Sequence, residues 1–170
     1  LKIHLVQGIS RGERMDFVIQ KATELGVAEI SLLNSERTEV KLKGERLEKR
    51  VEHWRKVSIS ACEQCGSNRV PVIHPPVILA QWLACREEPI KLIMQPGTNQ
   101  PFQQSKPATV ALLIGPEGGF TDLEVQAANN ADFDSISLGP RILRTETAPL
   151  VAISIAHRRC CTIVVSAAHR

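Results

Sequence analysis

Two stretches of this chain set charged side chains among glycine and proline where an apolar run gives way to a helical pattern. They are LLIGPEGGFT, Leu112 to Thr121, and LGPRILRTETA, Leu138 to Ala148. Glu117 stands in the first, and Arg141, Arg144 and Glu146 in the second. Glycines at 115, 118 and 119 let main-chain amides approach a ligand and take positive φ, while Pro116 stiffens the turn. Two small residues suffice for a tight strand-to-helix turn, and Pro-Glu-Gly-Gly exceeds that need. In the second stretch, Thr145 or Thr147 can cap the following helix, and Glu146 suits its positive end. Arg144 is a cation at that same end, so an anionic partner explains it better, either a ligand group or Glu117. Turns of this kind at the carboxyl ends of neighbouring parallel strands are where an open α/β sheet binds its ligand. The pattern points to a binding site, and to an enzyme.

Several other chemistries are disfavoured. Neither turn is G-x-G-x-x-G or a Walker A loop, and no acidic residue stands at a strand end about 20 residues on to hold a ribose. The histidines show no metal spacing, and His4 within a strand reads as a structural histidine. Cys62 and Cys65 form a lone C-x-x-C inside a helical pattern, and Cys160 and Cys161 are merely adjacent. No metal is expected, and the cysteine usage fits a reducing cytoplasm.

The elements that carry these turns are legible as alternating strands and helices. LKIHLVQGI reads as a strand ending at Gly8. A helix follows, with Val18, Ala22 and Leu25 on one face and Gly26 just past its end. VAEISLLNS is the next strand. A long helix of about Glu45 to Cys65 carries Leu47, Val51, Trp54, Val57, Ala61 and Cys65 at three- and four-residue steps. RVPVIHPPVIL, broken by Pro71, Pro75 and Pro76, suits an edge strand or connector. LAQWLAC is a short helix, PIKLIMQPG a strand, GTNQPFQQSKPAT a polar loop, and ATVALLIG a strand buried on both faces. Thr121 and Glu124 stand at capping-box spacing before a helix, DSISLG is the last strand, and TETAPLVAISIAHRR the last helix, with Pro149 in its first turn. Such alternation predicts a mostly parallel α/β sheet with helices on both faces.

A chain of 170 residues with 43% hydrophobic and 23% charged residues fits one soluble domain. No apolar run approaches the roughly 18 residues of a membrane span, and no signal peptide opens the chain. It starts at Leu1 directly in a strand pattern, so an upstream segment is expected. The net charge of +3 does not by itself indicate nucleic acid. Lys41, Lys43, Arg46, Lys49, Arg50, Arg55 and Lys56 cluster, but Glu45, Glu48 and Glu52 interleave with them, which suits a solvated helix face.

Taken together, HLVQGISRGERMDFVIQKATELGV, SERTEVKLK, ACEQCGSNRVP, IGPEGGFT and LGPRILRTETA closely resemble the bacterial RNA methyltransferases of the SPOUT class that make N3-methyluridine in small-subunit (16S) ribosomal RNA. The resemblance covers roughly residues 3 to 155. It implies a deep trefoil knot near the C-terminus, bound S-adenosylmethionine, a homodimer and a cytoplasmic location. It also implies an N-terminal β-barrel RNA-binding domain, which this chain lacks, so residues 1–170 would be the knotted cofactor-binding domain. The tail HRRCCTIVVSAAHR departs from the family's usual last helix.

Carried onto this sequence, the family's cofactor loops fall on Met94, Gln95, Pro96 and Gly97; on Ile114, Gly115, Pro116, Glu117, Gly118 and Gly119; and on Leu138, Gly139, Leu143, Arg144, Thr145, Thr147 and Ala148. Uracil N3 is a poor nucleophile until it loses its proton, so a base or an anion-stabilising cation is required. Arg144 is the first candidate for stabilising charge on the uracil oxygens. Glu117 is a possible base or an orienter of that arginine, and Arg11 and Arg14 could reach substrate. The alternatives are a SPOUT enzyme acting on ribose or guanine, or a non-catalytic RNA-binding or ribosome-assembly module.

Overall fold

The computed structural model describes residues 1–40, 42–98 and 108–160. Lys41, most of the GTNQPFQQSKPAT loop, Cys161 and the rest of the tail lie outside the described residues. Six parallel strands form one sheet in the order β3-β2-β1-β5-β4-β6: β1 (Lys2–Gly8), β2 (Glu29–Asn34), β3 (Val72–Ile78), β4 (Ile90–Met94), β5 (Thr109–Ile114) and β6 (Asp134–Ile136). The helices α1 (Glu13–Glu24), α2 (Gly44–Cys65), α3 (Leu79–Leu83), α4 (Asp122–Asn130) and α5 (Ala148–Cys160) connect or follow them.

Alternation along the strands divides the core in two. Ile3, Leu5, Leu112 and Ile114 face one side, where α1, α2 and α5 pack, while Val6, Leu33, Ile93 and Leu113 face the other under α3 and α4. β1 and β5 at the centre are buried on both faces, which is why ATVALLIG is a continuous apolar run. On β3 the register with β2 shifts between His74 and Val77, so Pro75 and Pro76 occupy an irregular edge position where no ladder donor is lost.

Local signals fold as their chemistry dictates. Thr121 Oγ1 accepts from the Glu124 amide while Glu124 accepts from the Thr121 amide, closing the capping box of α4. Gly26 follows α1 at φ 77°, and Gly66 ends α2 in the left-handed region. The buried stripe of α2 departs from expectation. Ser58 and Cys62 are buried and Cys65 is exposed, because the stripe drifts along the helix toward α1, where the Ser58 and Thr23 hydroxyls meet at 3.1 Å. β6 is only three residues long, since the Ser137 hydroxyl turns to the Gly139 carbonyl instead of extending the strand.

Candidate active site

The second of the candidate turns leaves β5 at Ile114. The Gly119 amide donates to the Pro116 carbonyl at 2.9 Å, and Gly119 holds φ 67°, where a side chain is strained. This turn lies directly against the end of β1. A Cβ on Gly8 would meet the Pro116 nitrogen and sit 2.7 Å from Pro116 Cδ, so only glycine fits there. From the other side Arg37 clasps the same turn, donating to the Gly118 carbonyl at 3.0 Å.

The third turn runs from β6, at the sheet edge, back across the carboxyl ends of β4 and β5. Thr145 anchors it. Its hydroxyl donates to the Gly115 carbonyl at 3.0 Å and accepts from the side-chain amide of the fully buried Gln7 at 3.2 Å, with Ser10 Oγ 3.3 Å away. Of the two threonines expected to be able to cap α5, Thr145 and Thr147, the first is committed elsewhere: its hydroxyl is spent holding two turns together. The first turn is tied to the end of β6, from which the third departs, by the Gln95 amide, which donates to the Ile136 carbonyl at 2.9 Å.

Glu117 does not orient Arg144. Its Oε1 accepts from the Arg11 amide at 3.1 Å and from Arg14 Nη1 at 3.3 Å, so it ties the start of α1 to the turn. The guanidinium of Arg11 points instead to Glu39. Arg144 is 77% exposed, and the nearest carboxylate oxygen, on Glu146, stands 3.9 Å away, beyond hydrogen-bond reach.

The three turns border one half-open cleft of about 550 Å³. Its wall includes Met94, Gln95 and Pro96 from the first turn; Ile114, Gly115, Pro116, Glu117 and Gly119 from the second; and Leu138, Leu143, Arg144, Thr145 and Ala148 from the third, with Arg14 at the mouth. Gly97, Gly118, Gly139, Thr147 and Arg11 are not on the wall. Gly118 fails for a visible reason, since a Cβ there would meet Arg37 rather than the cavity. Gly97 and Gly139 serve their turns instead, at φ 82° and 130°. Phe120, Ser137, Arg141, Ile142 and Glu146 also line it. They stand beside the motif residues in the same turns, and a carry-over confined to the motif positions passes over them.

Cys62 and Cys65 share no such role: each thiol donates to a nearby carbonyl, and burial pushes the Cys62 thiol up, away from reactivity. Among the described residues no helix is long and apolar enough to cross a membrane.

Comparisons with known proteins agree with this geometry. The family model of the RNA methyltransferase domain matches residues 1–157. The ribosomal RNA small subunit methyltransferase E of Buchnera aphidicola subsp. Schizaphis graminum is 42% identical over 159 residues, which cover 91% of this chain and 64% of that protein. The chain thus spans just under two thirds of this relative's length. A putative methyltransferase from Legionella pneumophila, solved with bound SAM, superposes with a TM-score of 0.90 at 46% identity, covering 93% of this chain and 66% of that one. The ribosomal RNA small subunit methyltransferase E of Neisseria gonorrhoeae, bound to S-adenosyl methionine, superposes at 0.85 with 42% identity and the same coverages. A sheet whose turns close on one pocket, matched along nearly its whole length, places the chain in the RNA methyltransferase domain family, among the small subunit methyltransferase E type.

Proposed function

We propose that this chain binds S-adenosylmethionine in the three-turn cavity and methylates N3 of a uridine in small-subunit ribosomal RNA. The observation that carries the reading is the convergence of the turns after β4, β5 and β6 on one half-open cleft. That volume, about 550 Å³, lies within the roughly 300–1,000 Å³ of small-molecule sites. Its chemistry suits the cofactor: Met94, Ile114, Phe120, Leu138 and Leu143 offer an apolar wall for an adenine, and Glu117 and Glu146 offset a sulfonium charge. When bound, the cofactor supplies an electrophilic methyl carbon.

The protein's part is positioning and charge. Gly119, in the left-handed conformation with nothing within 4 Å of where a Cβ would stand, lets the main chain approach the nucleoside, while a Cβ on Gly115 would press on Gly119 and Phe120 within the turn. Arg144, exposed at the rim, stabilises the negative charge that spreads onto uracil O2 and O4 as the N3 proton leaves. Glu117, with Oε1 held by the α1 start, keeps Oε2 as the acceptor for that proton and fixes Arg14 at the mouth. Arg11, turned to Glu39, contributes its main-chain amide rather than its guanidinium.

The path of residues 137–147, from the β6 edge across the carboxyl ends of β4 and β5 to Gln7 on β1, supports a threaded, knotted connection within a single cofactor-binding domain. The 84% exposed Ile142 beside the pocket supports a homodimer that covers it. The substrate class implies the cytoplasm, with no membrane partner. Incubating the protein with S-adenosylmethionine and unmodified small-subunit RNA, then analysing nucleosides by mass spectrometry, tests the reading. N3-methyluridine is expected, whereas methylation of ribose or guanine alone would overturn the assignment.

A further inference from the structure

Away from the pocket, toward the amino ends of β1, β2 and β3, the register brings together side chains far apart in sequence. His4 pairs with Glu29 across β1 and β2, and Ser31 with His74 across β2 and β3, so alternation puts all four on the face under α3. One ligand atom each from His4, Glu29 and His74 lies within 4.8 Å of the other two. His74 Nε2 is 2.8 Å from Glu29 Oε2.

The neighbours of His4 set its tautomer. Trp82 Nε1–H donates to Ser31 Oγ at 3.2 Å, which leaves the Ser31 hydroxyl proton for His4 Nε2 at 2.8 Å. His4 Nδ1–H then donates to Glu88 Oε1 at 3.0 Å. A carboxylate on one ring nitrogen, with a lone pair on the other, is the arrangement that orients metal-binding imidazoles. Glu88 Oε2 is buried with no hydrogen-bond partner among the described residues, and Arg86, 3.8 Å from Glu88 Oε1, offsets part of the carboxylate charge.

We propose that His4, Glu29 and His74 form a binding site for a divalent zinc ion, with Glu88 holding His4 in the ligating orientation. Two imidazoles and a carboxylate suit zinc, with water as the fourth ligand. Zinc–ligand bonds of about 2.0–2.2 Å put tetrahedral ligands about 3.4 Å apart, so the present spread closes by rotations of His74 and Glu29, whose side chains are 39% and 43% exposed. The Ser31 hydroxyl yields its contact with His4 Nε2 to the ion. The bound ion would staple three strands together on the side of the molecule that the methyl-transfer pocket does not use, and the inference is independent of that pocket's chemistry.

Metal-free protein, prepared by dialysis against a chelator, is titrated with zinc in competition with a chromophoric chelator, and with cobalt followed by optical absorption. One zinc per chain is expected, with a four-coordinate cobalt spectrum free of sulfur charge-transfer bands. His74→Ala, at a half-exposed position that leaves the fold intact by circular dichroism, should abolish binding. Glu88→Gln should weaken it about 10- to 100-fold. Zinc should also raise the melting temperature of the parent protein and not of His74→Ala. The proposal is overturned by the absence of saturable binding, by undiminished affinity in His74→Ala, or by sulfur charge-transfer bands that assign the ion to Cys62, Cys65 or Cys85.

Discussion

Thr145 and Gly115 are joined by a hydrogen bond of 3.0 Å, from the threonine hydroxyl to the glycine carbonyl, across thirty residues of chain. The contact makes one pocket of two turns. Because Gln7 donates to the same hydroxyl from the buried end of β1, the junction couples the sheet's central strand to the pocket wall. Thr145→Val keeps the shape and removes every polar contact. It should cost about 1–3 kcal/mol in denaturant unfolding, because the Gly115 carbonyl and the Gln7 amide lose a buried partner. Affinity for S-adenosylmethionine should fall with it, and Thr145→Ser should restore most of both. Full stability in the valine variant would mean the junction is incidental.

Gly8 is the tightest steric point of the pocket's support. Gly8→Ala places a methyl group against the Pro116 nitrogen, with Gly115 C 2.9 Å away, and both neighbours are main chain that cannot swing aside. Overpacking of this kind costs about 1–3 kcal/mol and displaces the turn. Thermal unfolding and cofactor titration should both register the change, and a variant with parental melting and affinity would show that the turn tolerates displacement.

Arg144 has the opposite profile. Its exposed side chain makes no hydrogen bond among the described residues, and its carbonyl, which accepts from the Thr147 and Ala148 amides at 2.9 Å, survives truncation, so Arg144→Ala should melt as the parent does and bind cofactor normally. Turnover on RNA should fall by about 100- to 1,000-fold, the usual effect of deleting one anion-stabilising donor. Arg144→Lys should recover only part of it, since a point charge replaces a planar fork. Undiminished turnover in the alanine variant would remove Arg144 from the chemistry.

Asp16 secures the α1–α2 pair that carries Arg14. Its carboxylate accepts from Trp54 Nε1 at 2.9 Å and contacts His53 Nε2 at 2.8 Å, and Arg50, 3.5 Å from it, also donates to the Gly12 carbonyl. Asp16→Ala leaves the Trp54 indole N–H, on a buried ring, without an acceptor. A loss of about 1–3 kcal/mol is expected by urea denaturation, with a smaller loss of cofactor affinity. An unchanged denaturation midpoint would count against the clasp.

What was legible in the sequence follows the range of each signal. Thr121 and Glu124 are three residues apart, so their capping box could be read directly, and β5 announced itself as an unbroken apolar run. The glycine turns were legible as sites because their composition exceeds what turns require. Glu117 and Arg14 lie 103 residues apart, and nothing local indicated that Arg14 rather than Arg144 would meet that carboxylate. The same holds for Gly8 against Pro116, and for His4, Glu29 and His74, which only a parallel register assembles. A threonine just before a helix reads as a possible cap, and nothing local shows that at Thr145 the tertiary partners Gly115 and Gln7 outweigh that preference.

The central claim is that the turns after β4, β5 and β6 form a single cofactor pocket. Isothermal calorimetry with S-adenosylmethionine, run on the parent chain and on Gly119→Val, tests it most directly. Gly119 holds φ 67° on the pocket wall, so valine strains the turn where the nucleoside must approach. Saturable binding by the parent and none by the variant is the predicted result. No binding by a folded parent, or equal affinity in the two proteins, would contradict it.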